Sequence, residues 1–124
     1  MTGYGGAVYA GNIKPETSVV VIGCGAVGLS AIQGARISGA SKIIAVDIFD
    51  NKLEFAKKVG ATHTINSKID NPIEACLEIT DGRGVDCAIE SAGHNETIRQ
   101  TLECSRPGAR IVICLLYTSD AADE

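Results

Sequence analysis

Three glycines stand at the first, third and sixth positions of Gly23-Cys-Gly-Ala-Val-Gly28, directly after the β-branched run Val19-Val-Val-Ile22. That run is too short for a helix and suits a strand buried on both faces, so the glycines fall at a strand-to-helix turn. Each has a separate task in a dinucleotide site: Gly23 permits the tight turn, Gly25 lets the backbone approach a pyrophosphate, and Gly28 lets the helix lie close to the strand. The N–H groups of Ala26 and Val27, at the helix N-terminus, face the phosphate charge. Asp47 ends the next apolar run, 19 residues after Gly28. That is close to the ~20 expected for an acidic residue accepting hydrogen bonds from the ribose hydroxyls. A carboxylate there repels a 2′-phosphate, and the following Ile48 and Phe49 provide no Arg to receive one, so NAD is favoured over NADP. Lys52 stands within reach of the ribose; the competing interpretation is a solvated surface lysine. The glycines alone are also compatible with a plain strand–helix turn, and it is the strand before, the helix after and the acid beyond that favour a dinucleotide. His63 and His94 are poorer signals: His63 has no carboxylate or Cys at ligand spacing, whereas His94 follows Gly93 on the cofactor side.

The elements that must position these residues alternate strand with helix. After Val19–Ile22, a stripe of Gly28, Ala31, Ile32 and Ala35 predicts a helix that Gly39 stops. Ile43–Val46 is a second strand, and Asp50 is expected to cap a second helix, which ends at Gly60. A short third strand is predicted over Thr62–Ile65, a helix from Asn71-Pro72 to about Ile79, and a turn over Asp81–Gly84. A fourth strand over Val85–Glu90, a helix over Asn95–Cys104 ended by Pro107-Gly108, and a fifth strand over Arg110–Ile113 complete the series. The implied fold class is α/β, a doubly wound parallel sheet, incomplete at its C-terminal edge. Its ligand site is expected at the carboxyl ends of strands one and four, where the strand order reverses.

Composition narrows the function classes. The 124 residues suit a single domain, and 45% hydrophobic with 21% charged residues exclude a disordered chain. Net charge is −4 and aromatics are 4% with no Trp, which argues against a nucleic-acid partner. No run of 18 apolar residues occurs and the N-terminal residues carry no secretory pattern, so neither a membrane partner nor export is expected. The five Cys, at 24, 76, 87, 104 and 114, have no CxxC spacing. They read as reduced, mostly buried thiols of a cytoplasmic protein, with no metal site.

From Thr2 to Ile113 the chain resembles the coenzyme-binding domain of the zinc-type (medium-chain) alcohol dehydrogenases. The likeness rests on Thr2-Gly-Tyr-Gly, Gly23-Cys-Gly-Ala-Val-Gly-Leu-Ser30, Val46-Asp-Ile-Phe-Asp-Asn-Lys52, Ala56-Lys-Lys-Val-Gly-Ala-Thr62 and Gly84-Val-Asp86. The resemblance implies a Rossmann fold that orients NAD for hydride transfer from a small alcohol, or back to an aldehyde. It implies that Thr2 lies near the nicotinamide, Val27 packs on the nicotinamide ring, and Asp47 and Lys52 bind the ribose. Ile48, Ala92 and His94 then line the adenine pocket, and Ile113 ends the strand whose backbone holds the carboxamide. His94 departs from the Arg often found at that position. The zinc ligands of such enzymes belong to a catalytic domain preceding this segment. Zinc is therefore expected only in the full-length enzyme, an expected homo-oligomer, and this chain is expected to be an inactive fragment with no catalytic residue of its own.

Residues 1–113 read as the partial NAD-binding domain and 114–124 as a non-native tail, the alternative being a native helical one. One back-translation of Cys114–Ser119, TGT CTC TTA TAC ACA TCT, resembles a transposon-end adapter, and Asp120–Glu124 continues to fit it. A genomic reading frame running through Glu124 without adapter sequence is the observation that overturns this. Two other functions compete. An S-adenosylmethionine-dependent methyltransferase also uses a Gly-rich turn and an acidic end to strand two, but strand one here has no acidic residue before the glycines. A non-catalytic NAD-binding module is the other. A short-chain dehydrogenase is disfavoured, because no Tyr-x-x-x-Lys pair follows strand four.

Overall fold

A computed structural model describes residues 16–114. They form one five-stranded parallel sheet in the order β3-β2-β1-β4-β5, with four helices in the crossovers. The strands are β1 (Ser18–Ile22), β2 (Lys42–Asp47), β3 (His63–Asn66), β4 (Val85–Glu90) and β5 (Ser105–Ile113). The helices are α1 (Ala26–Ile37), α2 (Asp50–Val59), α3 (Pro72–Ile79) and α4 (Asn95–Cys104). The order reverses between β1 and β4, as the sequence predicts.

Two cores flank the sheet. On one face Val19, Val21, Ile43, Ala45 and Ile89 pack with Ala31, Ile32 and Ala35 of α1 and with Leu53 and Ala56 of α2. On the other, Val20, Ile22, Ile44, Val46 and Ala88 pack with Cys76 of α3 and Cys104 of α4. Alternate residues of β1 thus serve opposite cores, which is why its apolar run is unbroken. The small stripe of α1 includes Gly28, where a Cβ would overlap the carbonyl oxygen of Gly23.

Four expectations are corrected. Asp50 does not cap α2; Phe49 holds the N-cap position and Asp50 is the first helical residue. Its carboxylate instead accepts from Asn66 Nδ2 at 2.8 Å, tying the α2 start to the end of β3. Pro107-Gly108 does not end α4, which gives way to strand at Ser105. Both residues lie inside β5, in an irregularity between the pairs Val85↔Ser105 and Cys87↔Arg110. A bulge on an edge strand accommodates Pro, since no inward N–H is required there. β5 therefore begins earlier than its apolar residues show, and β3 is shifted one residue later, to His63–Asn66. Thr2 and nearly all of the tail lie outside the described residues.

Candidate functional site

The carboxyl ends of β1, β2 and β4 surround a cleft of about 300 Å³, at the lower end of the range for small-molecule sites. Its floor begins with the glycine turn. Gly23 has φ of +101°, a backbone conformation that disfavours any side chain, and its N–H donates to Val46 O at 2.8 Å. The next residue, Cys24, turns its thiol inward, 3.6 Å from Val46 O, and leaves only backbone toward the cleft's interior wall. Gly25 is the N-cap of α1 and supplies no side-chain acceptor, and the first turn holds no acidic residue. The first-turn N–H groups, those of Ala26 and Val27 among them, have no intrahelical acceptor. A Cβ on Gly25 would meet nothing within 4 Å, so the space above this backbone is open. The N-terminal partial charge of α1 is thus free to meet an anion.

Asp47 forms the opposite wall. Its Oδ2 accepts from Cys24 N at 2.8 Å, and its Oδ1 accepts from Ile48 N at 2.7 Å and Phe49 N at 3.0 Å. The carboxylate therefore fixes both the glycine turn and the β2–α2 turn. Three of its roughly four lone-pair sites are used. The Oδ2 side retains capacity for a hydroxyl donor. Lys52 carries its ammonium over the Phe49 ring, 5.6 Å from the centroid, at the mouth of the cleft.

The third wall is the turn after β4. Ser91 Oγ donates to Gly23 O at 2.7 Å, and Ala92 and His94 reach the cleft from the same turn. Behind them Glu90, fully buried, accepts from Ala92 N at 2.9 Å, Gly93 N at 2.7 Å and Thr97 Oγ1 at 2.7 Å, all on Oε2.

The sequence and the fold have counterparts in known proteins. The family model described as zinc-binding dehydrogenase matches residues 26–122. The chain belongs to the zinc-binding dehydrogenase family. Its relatives include S-(hydroxymethyl)glutathione dehydrogenase of Saccharomyces cerevisiae, 41% identical over 86% of this chain and 29% of that protein. The alcohol dehydrogenase of Cupriavidus necator is 40% identical over 96% of the chain and 32% of its own length. Among solved structures, benzyl alcohol dehydrogenase from Acinetobacter calcoaceticus superposes with a TM-score of 0.89 at 45% identity, over 94% of this chain and 33% of that one. The chain spans about a third of the length of the relatives it matches. The match to the family model continues past residue 113, the boundary drawn from composition.

Within this chain, Gly23, Gly25, Asp47, Ile48, Lys52, Ala92 and His94 line one cleft. Ala26 and Val27 stand at its edge on α1, half-buried or exposed, and Gly28 lies beneath it as a packing residue. Ile113 does not line the cleft; it ends β5 in register with Glu90. Ser67, Ser91, Thr97 and Gln100 line the cleft without having been singled out by sequence. Ser91 and Glu90 carry a weak signal in hindsight: polar residues closing a strand whose other positions are apolar. His63 sits away from the cleft, exposed, with Nδ1 2.9 Å from Thr62 Oγ1.

Proposed function

We propose that this chain is the NAD-binding part of a zinc-dependent alcohol dehydrogenase. The observation that carries the proposal is the pairing of an open glycine backbone at Gly25 with the Asp47 carboxylate across one cleft. The donor set suits the cofactor's chemistry: first-turn N–H groups of α1 for the pyrophosphate, and a carboxylate for a ribose hydroxyl. Bound NAD supplies the carbon that accepts hydride from an alcohol. This chain's residues bind and orient it. Asp47 holds the ribose, Ile48, Ala92 and His94 flank the adenine, and Lys52 adds a cation at the mouth. Val27 and Ile113 lie toward the nicotinamide, and Thr2 joins them in the resemblance. The zinc and its ligands, and the alcohol or aldehyde pocket, belong to other parts of the full-length enzyme, a homo-oligomer. Family membership favours this function over the methyltransferase alternative.

Calorimetric titration with NAD, NADP and S-adenosylmethionine tests the proposal. NAD is expected to bind best. Asp47→Asn is expected to weaken NAD by about tenfold or more, the loss of one charge-assisted bond, and to narrow the gap to NADP. Tighter binding of S-adenosylmethionine than NAD, or an Asp47→Asn variant with unchanged NAD affinity, counts against it.

A further inference from the structure

Glu90 ends β4 with no solvent exposure, in register between Ile22 of β1 and Ile113 of β5. One of its oxygens makes all the side-chain bonds. Oε2 takes the Ala92 and Gly93 N–H groups and the Thr97 hydroxyl, whereas Oε1 has no hydrogen-bond partner among the described residues. An unpaired buried carboxylate oxygen is destabilising. What Glu90 offers in return is an acceptor at the centre of the turn that brings Ala92 and His94 to the cleft. Through Thr97 that acceptor also holds the first turn of α4. The same turn is locked to the glycine loop: Ser91 Oγ donates to Gly23 O, and a Cβ on Gly23 would meet Ala92 N and Ser91 Oγ at 2.9 Å each. A shift of the 91–94 turn therefore displaces a cleft wall and the phosphate-facing loop together.

We infer that Glu90 is a positioning residue for the cofactor, acting through the acceptor Oε2 rather than through its charge. The inference rests on the NAD site proposed above. It makes a specific demand on variants. In Glu90→Gln the amide oxygen takes the place of Oε2 and accepts the same three bonds, while the amide nitrogen occupies the place of Oε1. In Glu90→Ala the acceptor is gone. Thr97→Val removes one donor, and with it the acceptor for His94 N at 3.2 Å, while keeping the shape of the side chain.

The test is calorimetric titration of the 124-residue chain and its variants with NAD, with thermal melting followed in parallel. Glu90→Ala is expected to lose about tenfold or more in NAD affinity, and Glu90→Gln to recover it to within about threefold. Thr97→Val is expected to bind about threefold to tenfold more weakly while still melting cooperatively at a somewhat lower temperature, which keeps the test decisive if Glu90→Ala fails to fold. The inference is overturned if Glu90→Gln binds as weakly as Glu90→Ala, because the charge is then what matters. It is equally overturned if a folded Thr97→Val binds as tightly as the unsubstituted chain. A folded, unsubstituted chain that takes up no NAD refutes the NAD site itself, a result distinct from either.

Discussion

Cys24 sits inside the glycine motif, yet its chemistry is that of a core residue. Burial, with the neighbouring Asp47 charge second, pushes its thiol up to about 12. Cys87 is pushed up to about 11, again by burial first. A thiolate is the reactive form, so at pH 8 both are inert. Cys76 and Cys104 are fully enclosed between α3 and α4, and only Cys114 is partly exposed. Titration with an aromatic disulfide reagent at pH 8 is expected to find slow reaction at Cys114 alone in the native chain. All five thiols should react once the chain is unfolded. Fast reaction at Cys24 in the native chain would contradict the inward orientation of its side chain. At this scale the sequence is uneven. Asp47 is legible because an acid ending a strand after a glycine motif has one familiar use. Glu90 also ends a strand, but two of its three donors are backbone groups of its own turn, which no residue spacing encodes.

At the scale of elements, the two glycines of the α1 start separate packing from binding. Gly28 lies under the Gly23 carbonyl with no room for a methyl group. Gly28→Ala must lift α1 from the sheet and is expected to destabilise the chain by about 3 kcal/mol or more, read from urea unfolding. Gly25 has φ of −78° and open space around it, so Gly25→Ala is expected to change stability by no more than about 1 kcal/mol. The same methyl group stands where the pyrophosphate is proposed to approach, and NAD affinity should fall. The helices and strands were readable wherever apolar periodicity and caps coincide, as at Asn71, whose side chain accepts from Ile73 N and Glu74 N. They were not where a tertiary contact decides. Asp50 looks like a cap by residue type, but Asn66 claims its carboxylate. Ser105–Ala109 lacks the apolar pattern of a strand because residues 106–109 fall in the irregularity between two register pairs.

Across the whole molecule, one carboxylate ties the end of the sheet remote from the cleft. Asp86 on β4 accepts from Ser18 N and Oγ on β1, at 2.9 and 3.1 Å, and from Arg106 Nε on β5 at 2.6 Å. Burial alone would raise its pKa, but the Ser18 N–H, the Arg106 guanidinium and the Ser18 hydroxyl outweigh burial and hold it below the usual carboxylate range. A lowered folded pKa means that the charged form is the one folding favours. The resulting stability is present above the unfolded value of about 4 and is lost as pH falls through the folded one. Unfolding measured from pH 7 down to pH 2 is expected to show this acid limb, and Asp86→Asn is expected to flatten it while lowering stability at pH 7. No helix among the described residues is long and apolar enough to cross a membrane.

The bulge in β5 also sets the phase of everything after it. Between Val85↔Ser105 and Cys87↔Arg110, β4 advances two residues and β5 five. The surplus of three residues is taken up in that irregularity, and the pairing is regular again from Arg110 to Ile113. Val112 consequently joins Cys87 and Ile89 in the core shared with α1 and α2. Length variation among homologues should therefore gather at Pro107-Gly108, where an extra residue widens an existing bulge, and be absent from Arg110–Ile113, where it would break the ladder.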